Sequence, residues 1–454
     1  MVNSNSITHS IQHRAELFDK LSNFMSDLNI KKNAISLKII LRERLFKEFL
    51  NFASSTVIFQ ISRVLVELMV AGILGPTIWG VWNLLNISIL YRGAITFGID
   101  NGMSRELPIL LGKGKLLEAE SLNNSAFTAI LIISMLACAL FLIILRYINE
   151  GLEFSYILMC ILFMSFQGYH FYTYTLKCYS RFDQVSAIQA VFSLLFPLIT
   201  IPLSYLYSFN GFLLGYSIAL IVSCYSIFFK NKINFSLNIN YVQLYNLIKI
   251  GFPIMLVGIS YAILNTVDRW MISLFLGVEE LGYYSMSIIV FSALILLPRI
   301  ISQQIYPRMA YNWGADKSIY SMKALIRKQS LYSFYLIIPI SVILYVFTPL
   351  LIRMWLPEYI NGIDSARFII LGAIFMPLSA GWGNFLNIIN KQIYYLYIII
   401  IAIVINIISN FILIKLGYGI EGVAWGTVVS YCFTNVMIFL TGNYFSKTIN
   451  NEDL

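Results

Sequence analysis

The sequence predicts an all-α integral membrane protein of about twelve transmembrane helices, in two parallel six-helix lobes around a central cavity, with both termini cytoplasmic. Three observations lead there: composition, the spacing of the apolar runs, and the distribution of lysine and arginine. Of 454 residues, 59% are hydrophobic and 12% charged, and the mean hydropathy is +0.77. A soluble domain carries about 25% charged residues. No short basic segment, apolar core and small-residue cleavage site open the chain, so the first span is expected to direct insertion.

Residues 1–49 form a polar, basic tail. In it Ile35, Leu37, Ile39, Ile40, Leu45, Phe46 and Phe49 recur at helical spacing among Lys31, Lys32, Lys38, Arg42, Arg44 and Lys47. This pattern predicts an amphipathic helix on the anionic cytoplasmic leaflet; a solvated tail ending in a stop-transfer flank is the plainer reading.

The opening hairpin follows. Its first run, Phe52–Leu74, contains Arg63 and Glu67; the chain turns through residues 74–80, and the second run, Val81–Gly98, contains Arg92. A cation at mid-bilayer costs about 2.5–3.5 kcal/mol on insertion scales, so such groups face a polar cavity or each other. Arg63 and Glu67, four residues apart, can pair on one helical face or line the cavity. Arg92 has no carboxylate at helical spacing and is expected to await an anion or a partner from another helix.

Ten further runs are long enough to span: Ser125–Leu145, Phe154–Leu176, Ser186–Tyr207, Gly211–Phe229, Ile248–Leu276, Gly282–Gln304, Ser330–Ile352, Phe368–Ile389, Ile393–Ile414 and Gly422–Tyr444. Of the 31 lysines and arginines, 24 fall on the side that holds the tail, four on the other side and three within spans. That asymmetry puts both termini in the cytoplasm. The basic balance therefore reflects topology, and no nucleic-acid partner is expected.

The halves echo each other. Leu74-Gly75 with Gly80 recurs as Leu276-Gly277 with Gly282, and Gly211/Gly215 recurs as Gly422/Gly426. Both halves start inside and hold an even number of spans, so the repeats are parallel and can rock about a cavity. The expected division is a tail (1–49), an N-terminal six-helix lobe (50–230), a cytoplasmic linker (231–247), a C-terminal lobe (248–445) and a short tail (446–454). In the second lobe Asp268 and Arg269 are adjacent and point to different helix faces, so at least one needs a partner from another helix.

Cys138, Cys160, Cys178, Cys224 and Cys432 show no metal or redox spacing, and His170 is the one histidine outside the tail. No metal site, cofactor or catalytic residue is expected, and the chain is not expected to be an enzyme. Tyr169, His170, Phe171, Tyr172 and Tyr174 could stack sugar rings, although such runs more often form an interfacial belt.

Taken together, Leu74-Gly75-Pro76 with Gly80, Gly98-Ile99 and Arg105-Glu106 with Pro108 resemble the opening hairpin of Wzx-type polysaccharide and O-antigen flippases. These belong to the multidrug/oligosaccharidyl-lipid/polysaccharide (MOP) exporter superfamily. Gly251-Phe252-Pro253, Val267-Asp268-Arg269, Leu281-Gly282-Tyr283-Tyr284-Ser285 and residues 417–424 extend the resemblance over roughly residues 50–445. Ser62-Arg63-Val64-Leu65 also resembles the first helix of the lipid II flippase branch, which has an extra pair of spans that this chain lacks.

The resemblance implies a lipopolysaccharide- or capsule-type role in a bacterial cytoplasmic membrane. It implies transport of a polyisoprenyl-diphosphate-linked oligosaccharide, with a polysaccharide polymerase as partner. It carries a binding role onto Arg63 and Arg92; Arg269 is a further candidate substrate contact with a fold-supporting role as the alternative, and Glu67 and Asp268 are candidates for ion coupling or structural pairing. The alternatives are a cation-coupled multidrug antiporter of the same superfamily and a membrane-embedded glycan polymerase. The first would favour cavity carboxylates and the second a sizeable catalytic loop.

Overall fold

The structure is a computed structural model that describes residues 31–148, 153–228, 235–316 and 319–452. The first 30 residues of the basic tail lie outside it. From Lys31 the chain is helical and runs into the first span, so the lipid-surface reading of the tail concerns side chains that are not described.

Fifteen α-helices and one 3-10 turn make up the described chain, and ten helical stretches are long and apolar enough to cross a membrane. Two of these are double. Helix α1 (Lys31–Leu90) breaks at Gly75 (φ 75°), and α6 (Phe182–Phe228) breaks at Ser208 (φ 53°). Gly215 lies against Thr200 and Gly211 against Leu203, pairs centred on the Ser208 break, so α6 folds back as an antiparallel hairpin. Counting each double stretch as two gives the twelve spans that the apolar runs predict.

In the N-terminal half the remaining helices are α2 (Arg92–Ile95), α3 (Ile99–Gly112), α4 (Leu116–Ile148) and α5 (Glu153–Cys178). The C-terminal half holds α7 (Tyr241–Leu264), α8 (Val267–Phe275), α9 (Val278–Asp316) and α10 (Ile319–Trp355). After the 3-10 turn Pro357–Gly362 come α11 (Ile363–Ala373), α12 (Met376–Ser379), α13 (Trp382–Ile388), α14 (Gln392–Lys415) and α15 (Gly419–Glu452).

Three expected continuous spans are interrupted, each for a local reason. The second span ends at Leu90, makes the single turn α2, and resumes at Ile99 after Phe97 (φ 51°) and Gly98 (φ 73°). The seventh is cut between α7 and α8, where polar side chains take up main-chain carbonyls: Asn265 Nδ2 donates to Tyr261 (2.6 Å) and Thr266 Oγ1 to Ala262 (2.9 Å). The tenth is split into α11, α12 and α13 around Pro377 and Gly381 (φ 88°).

The segment leading to α7 is tied down along the third span. Asn238 N–H donates to Thr128 Oγ1 (3.1 Å), Asn240 N–H to Ser125 Oγ (3.0 Å), and Asn124 Nδ2 to Ser236 Oγ (2.8 Å). Asn240 then caps α7 by accepting from the Val242 and Gln243 amides, so the helix starts at Tyr241, inside the expected linker.

The two glycine motifs meet. A methyl group at Gly80 would collide with the Val278 carbonyl, and one at Gly282 would collide with the Pro76 carbonyl. Pro76 follows Gly75 and Val278 follows Gly277, so equivalent residues of the two motifs make reciprocal contacts. Around this joint one apolar cluster crosses between halves, from Val66, Val70 and Ala71 to Leu356, Tyr359 and Ile363, and the Tyr359 hydroxyl donates to the Ala71 carbonyl (2.8 Å). A second seam joins Gly98 and Gly102 of the second span to Gly251 and Leu247 of α7.

Candidate functional site

The first span is amphipathic inside an apolar environment. Thr56, Gln60, Arg63 and Glu67 follow one another at spacings of four, three and four, which aligns them on one face. On the opposite face Ile58, Ile61, Leu65 and Met69 are each more than half exposed, as lipid-facing side chains are. The Arg63 Nη2 donates to Glu67 Oε1 at 3.1 Å, with the side chains 30% and 15% accessible. Tyr169 of α5 and Tyr216 of α6 are the electrostatic neighbours of this pair. The Arg63 Nε and the Tyr216 hydroxyl are buried without a hydrogen-bond partner among the described residues. Arg63 and Glu67 thus form an ion pair turned toward the interior of the N-terminal half.

Arg92 opens the short turn α2. Its Nη1 donates to the Ile89 carbonyl (3.3 Å), and its Nε is buried without a partner among the described residues. A carboxylate does stand nearby. Asp100, eight residues on, faces the guanidinium electrostatically, because the break at residues 96–98 turns the chain back. Helical spacing could not show this contact, since the helix is not continuous there. Asp100 accepts from Thr96 Oγ1 at 3.3 Å, and its Oδ2 lies 3.9 Å from His170 Nδ1.

The aromatic run of α5 divides. Phe171 and Tyr172 are buried in apolar clusters, and Tyr169 stacks on Phe59. His170 stacks on Tyr174 with ring centroids 4.4 Å apart, facing the Arg92 group.

Two of the 24 cations counted on the cytoplasmic side, Lys177 and Arg299, are brought to one neighbourhood that no linear pattern shows. Lys177, at the end of α5, lies over the rings of Phe52 (5.7 Å) and Tyr174 (5.6 Å). Arg299 of α9, an exposed residue of the C-terminal half, faces both Lys177 and Tyr174 electrostatically. Lys177, Arg299 and Arg92 thus share Tyr174 as an electrostatic neighbour. Lying on different helices of opposite halves, Lys177 and Arg299 gave no linear signal.

Asp268 and Arg269 lie elsewhere, buried within the C-terminal half. Asp268 Oδ2 accepts from the Tyr284 hydroxyl (2.8 Å), and Oδ1 accepts from the Arg269 amide (2.8 Å). This is the inter-helix partner that the adjacent charges require. Further along, Asn410 Nδ2 donates to Asn406 Oδ1 (2.7 Å) and Asn406 Nδ2 to Ser430 Oγ (2.9 Å), while Asn410 Oδ1 is buried without a partner among the described residues. The interrupted second and seventh spans also touch at their breaks. Thr266 Oγ1 donates to Ala262, so the Tyr91 hydroxyl donates to Thr266 Oγ1.

The MatE family model matches residues 253–412. No curated protein matches the chain in sequence. Among solved structures, an inward-facing multidrug resistance MATE family transporter of the MOP superfamily aligns with a TM-score of 0.73 at 13% identity, covering 87% of this chain and 96% of that one. An outward-facing MATE family transporter gives 0.65. The lipid II flippase MurJ in an inward closed conformation gives 0.68 at 15% identity, over 89% of this chain and 93% of that one. A MOP superfamily transporter from Pyrococcus furiosus, described by the reverse polarity of its binding pocket, gives 0.64 at 13% identity over 89% and 96%. Twelve spans in this arrangement make the chain a multi-pass membrane protein with the fold of the MOP-superfamily transporters.

Proposed function

We propose that this protein is a flippase, carrying a polyisoprenyl-diphosphate-linked oligosaccharide from the cytoplasmic to the outer leaflet of a bacterial cytoplasmic membrane by alternating access. The observation that carries the reading is that Arg92, Lys177 and, from the other half, Arg299 all face Tyr174, with Lys177 5.6 Å from its ring. Asp100 offsets one of these charges and Glu67 offsets Arg63, so the group holds a surplus of positive charge. Like charges repel unless water or an anion screens them, and a diphosphate offers paired oxygens to guanidinium forks. A cationic drug would meet repulsion there, which is the argument against multidrug antiport. Release of the anion follows when the halves separate Lys177 from Arg299.

In this reading Arg92 contacts the diphosphate, Arg63 adds positive potential through its pair with Glu67, and the isoprenoid tail stays in the bilayer. Both termini are cytoplasmic, and the glycan is delivered outside to a polymerase. Asp268, held by Tyr284 beside the Asn406–Asn410 network, is the candidate for cation coupling in the C-terminal half, with Arg269 bracing it. Residues 50–230 and 248–445 move as the two rocking bodies.

The test is surface glycan display in cells lacking the native protein, with membrane abundance measured alongside. Arg299→Glu should abolish display at normal abundance. Normal display by Arg299→Glu, or drug resistance conferred without any glycan phenotype, would sink the reading.

A further inference from the structure

His170 and Asp100 stand where a proton can matter to the anion site. The Asp100 side chain is buried, held by Thr96, and 3.9 Å from His170 Nδ1, a contact rather than a hydrogen bond. The other charged and titratable groups facing the imidazole come from two elements: Arg92 on α2, and Tyr174 and Lys177 on α5. Arg299 on α9 faces Tyr174 and Lys177 from the other half. With no anion present, the imidazole sits among Arg92, Lys177 and one carboxylate. A diphosphate seated on Arg92 adds negative charge to that neighbourhood and reverses the local field. A protonated imidazole could then close on Asp100 Oδ2 and keep its stack on Tyr174 as a cation–π contact.

We propose that His170 and Asp100 are a proton-binding pair that takes up one proton from cytoplasmic water as the diphosphate enters, so that substrate and proton are loaded together. The inference rests on the reading of the Arg92 group as a diphosphate site. Only an N–H bond forms, and the anion supplies the charge that holds it. By linkage the effect is reciprocal: what favours the proton in the loaded site favours the anion at low pH. Thr96 fixes the carboxylate and Tyr174 fixes the ring, so both partners are positioned before the ligand arrives.

The probe is a short-chain prenyl-diphosphate-linked sugar, whose two phosphates are both esterified and do not titrate between about pH 5.5 and 8. Binding to the full-length protein is measured by calorimetry in two buffers of different ionisation enthalpy, which reads proton uptake directly. The wild type should take up close to one proton per ligand and bind several-fold more tightly at the acid end. His170→Gln should bind without proton uptake and with a flat profile, and Asp100→Asn should lose most of the uptake. Absence of uptake by the wild type, or unchanged uptake by His170→Gln, overturns the proposal; the wild-type measurement decides even if a variant fails to reach the membrane. Arg92→Ala separates the two ideas. If it binds the probe as tightly as wild type, the diphosphate site itself is wrong; if it loses binding while His170→Gln keeps its uptake, only the proton pair is wrong.

Discussion

Gly80 packs directly against the carbonyl of Val278, leaving no room for a side chain between the first and second halves. The same is true of Gly282 and Pro76. Any larger residue must push the two turns apart. Overpacking of this kind costs about 1–3 kcal/mol, which is roughly a five- to 150-fold change in the equilibrium between closed and open seams. Gly80→Ala and Gly282→Ala should each raise labelling of a cysteine placed at Val278 or Pro76 by an externally added reagent, and cut transport by about tenfold. Unchanged labelling in both would show that the seam does not close in the membrane.

The expected topology rests on 24 cationic residues on one side and four on the other. Single cysteines at Lys113, Lys249 and Lys391, in a background without the five native cysteines, should be labelled from the cytoplasm alone. Arg353 and Lys415 should be labelled from outside. Labelling of Lys113 from outside would reverse the orientation of every span.

Arg92 should tolerate lysine in part and alanine poorly, because a guanidinium grips phosphate in two places and an ammonium in one. Arg92→Lys should keep a measurable fraction of transport, Arg92→Ala about a tenth or less, and Arg92→Glu none. Normal glycan display by Arg92→Glu at normal abundance would remove this residue from the site.

The Arg63–Glu67 pair needs a double change. Removing one partner strands the other charge in a half-buried setting among apolar helices, so Arg63→Ala alone should lower membrane abundance. Arg63→Ala/Glu67→Ala should restore abundance. Restored abundance with normal transport makes the pair structural; restored abundance with transport still lost gives it a part in substrate handling.

Asp268→Asn keeps an acceptor for the Tyr284 hydroxyl while removing the charge. It should leave folding near normal and reduce transport driven by an imposed cation gradient, measured in proteoliposomes. Full gradient-driven transport by the variant would exclude Asp268 from coupling.

Much of the fold was legible because lipid imposes a simple rule on sequence. Twelve runs of apolar residues, Gly75 at the first turn and the recurrence at Gly277 were enough to count the spans and to place most of them. The interruptions were harder to read. Asn265-Thr266 looks like two tolerated polar residues in a long run, and only the hydrogen bonds to Tyr261 and Ala262 show that they cut it. The same blindness hid part of the site. Asp100 faces Arg92 through a break that helical spacing cannot represent, and Arg299 faces Lys177 from the other half of the chain. Conversely, Asp268 with Arg269 drew attention as neighbours in sequence, whereas the contact that satisfies Asp268 is with Tyr284, sixteen residues away.

The hydroxyl contact between Tyr91 and Thr266 joins the halves where neither helix is regular. An intact helix resists bending because its carbonyls and amides are paired along the axis. At these two places side chains have already replaced part of that pairing, so the backbone can swivel by exchanging one hydroxyl partner for another. At this joint the contact between two side chains, beside the glycine seams at Gly80 and Gly98, opposes movement of the halves in place of the axial ladders of two spans. A transporter built this way can have rigid bodies and a soft joint within the same helices.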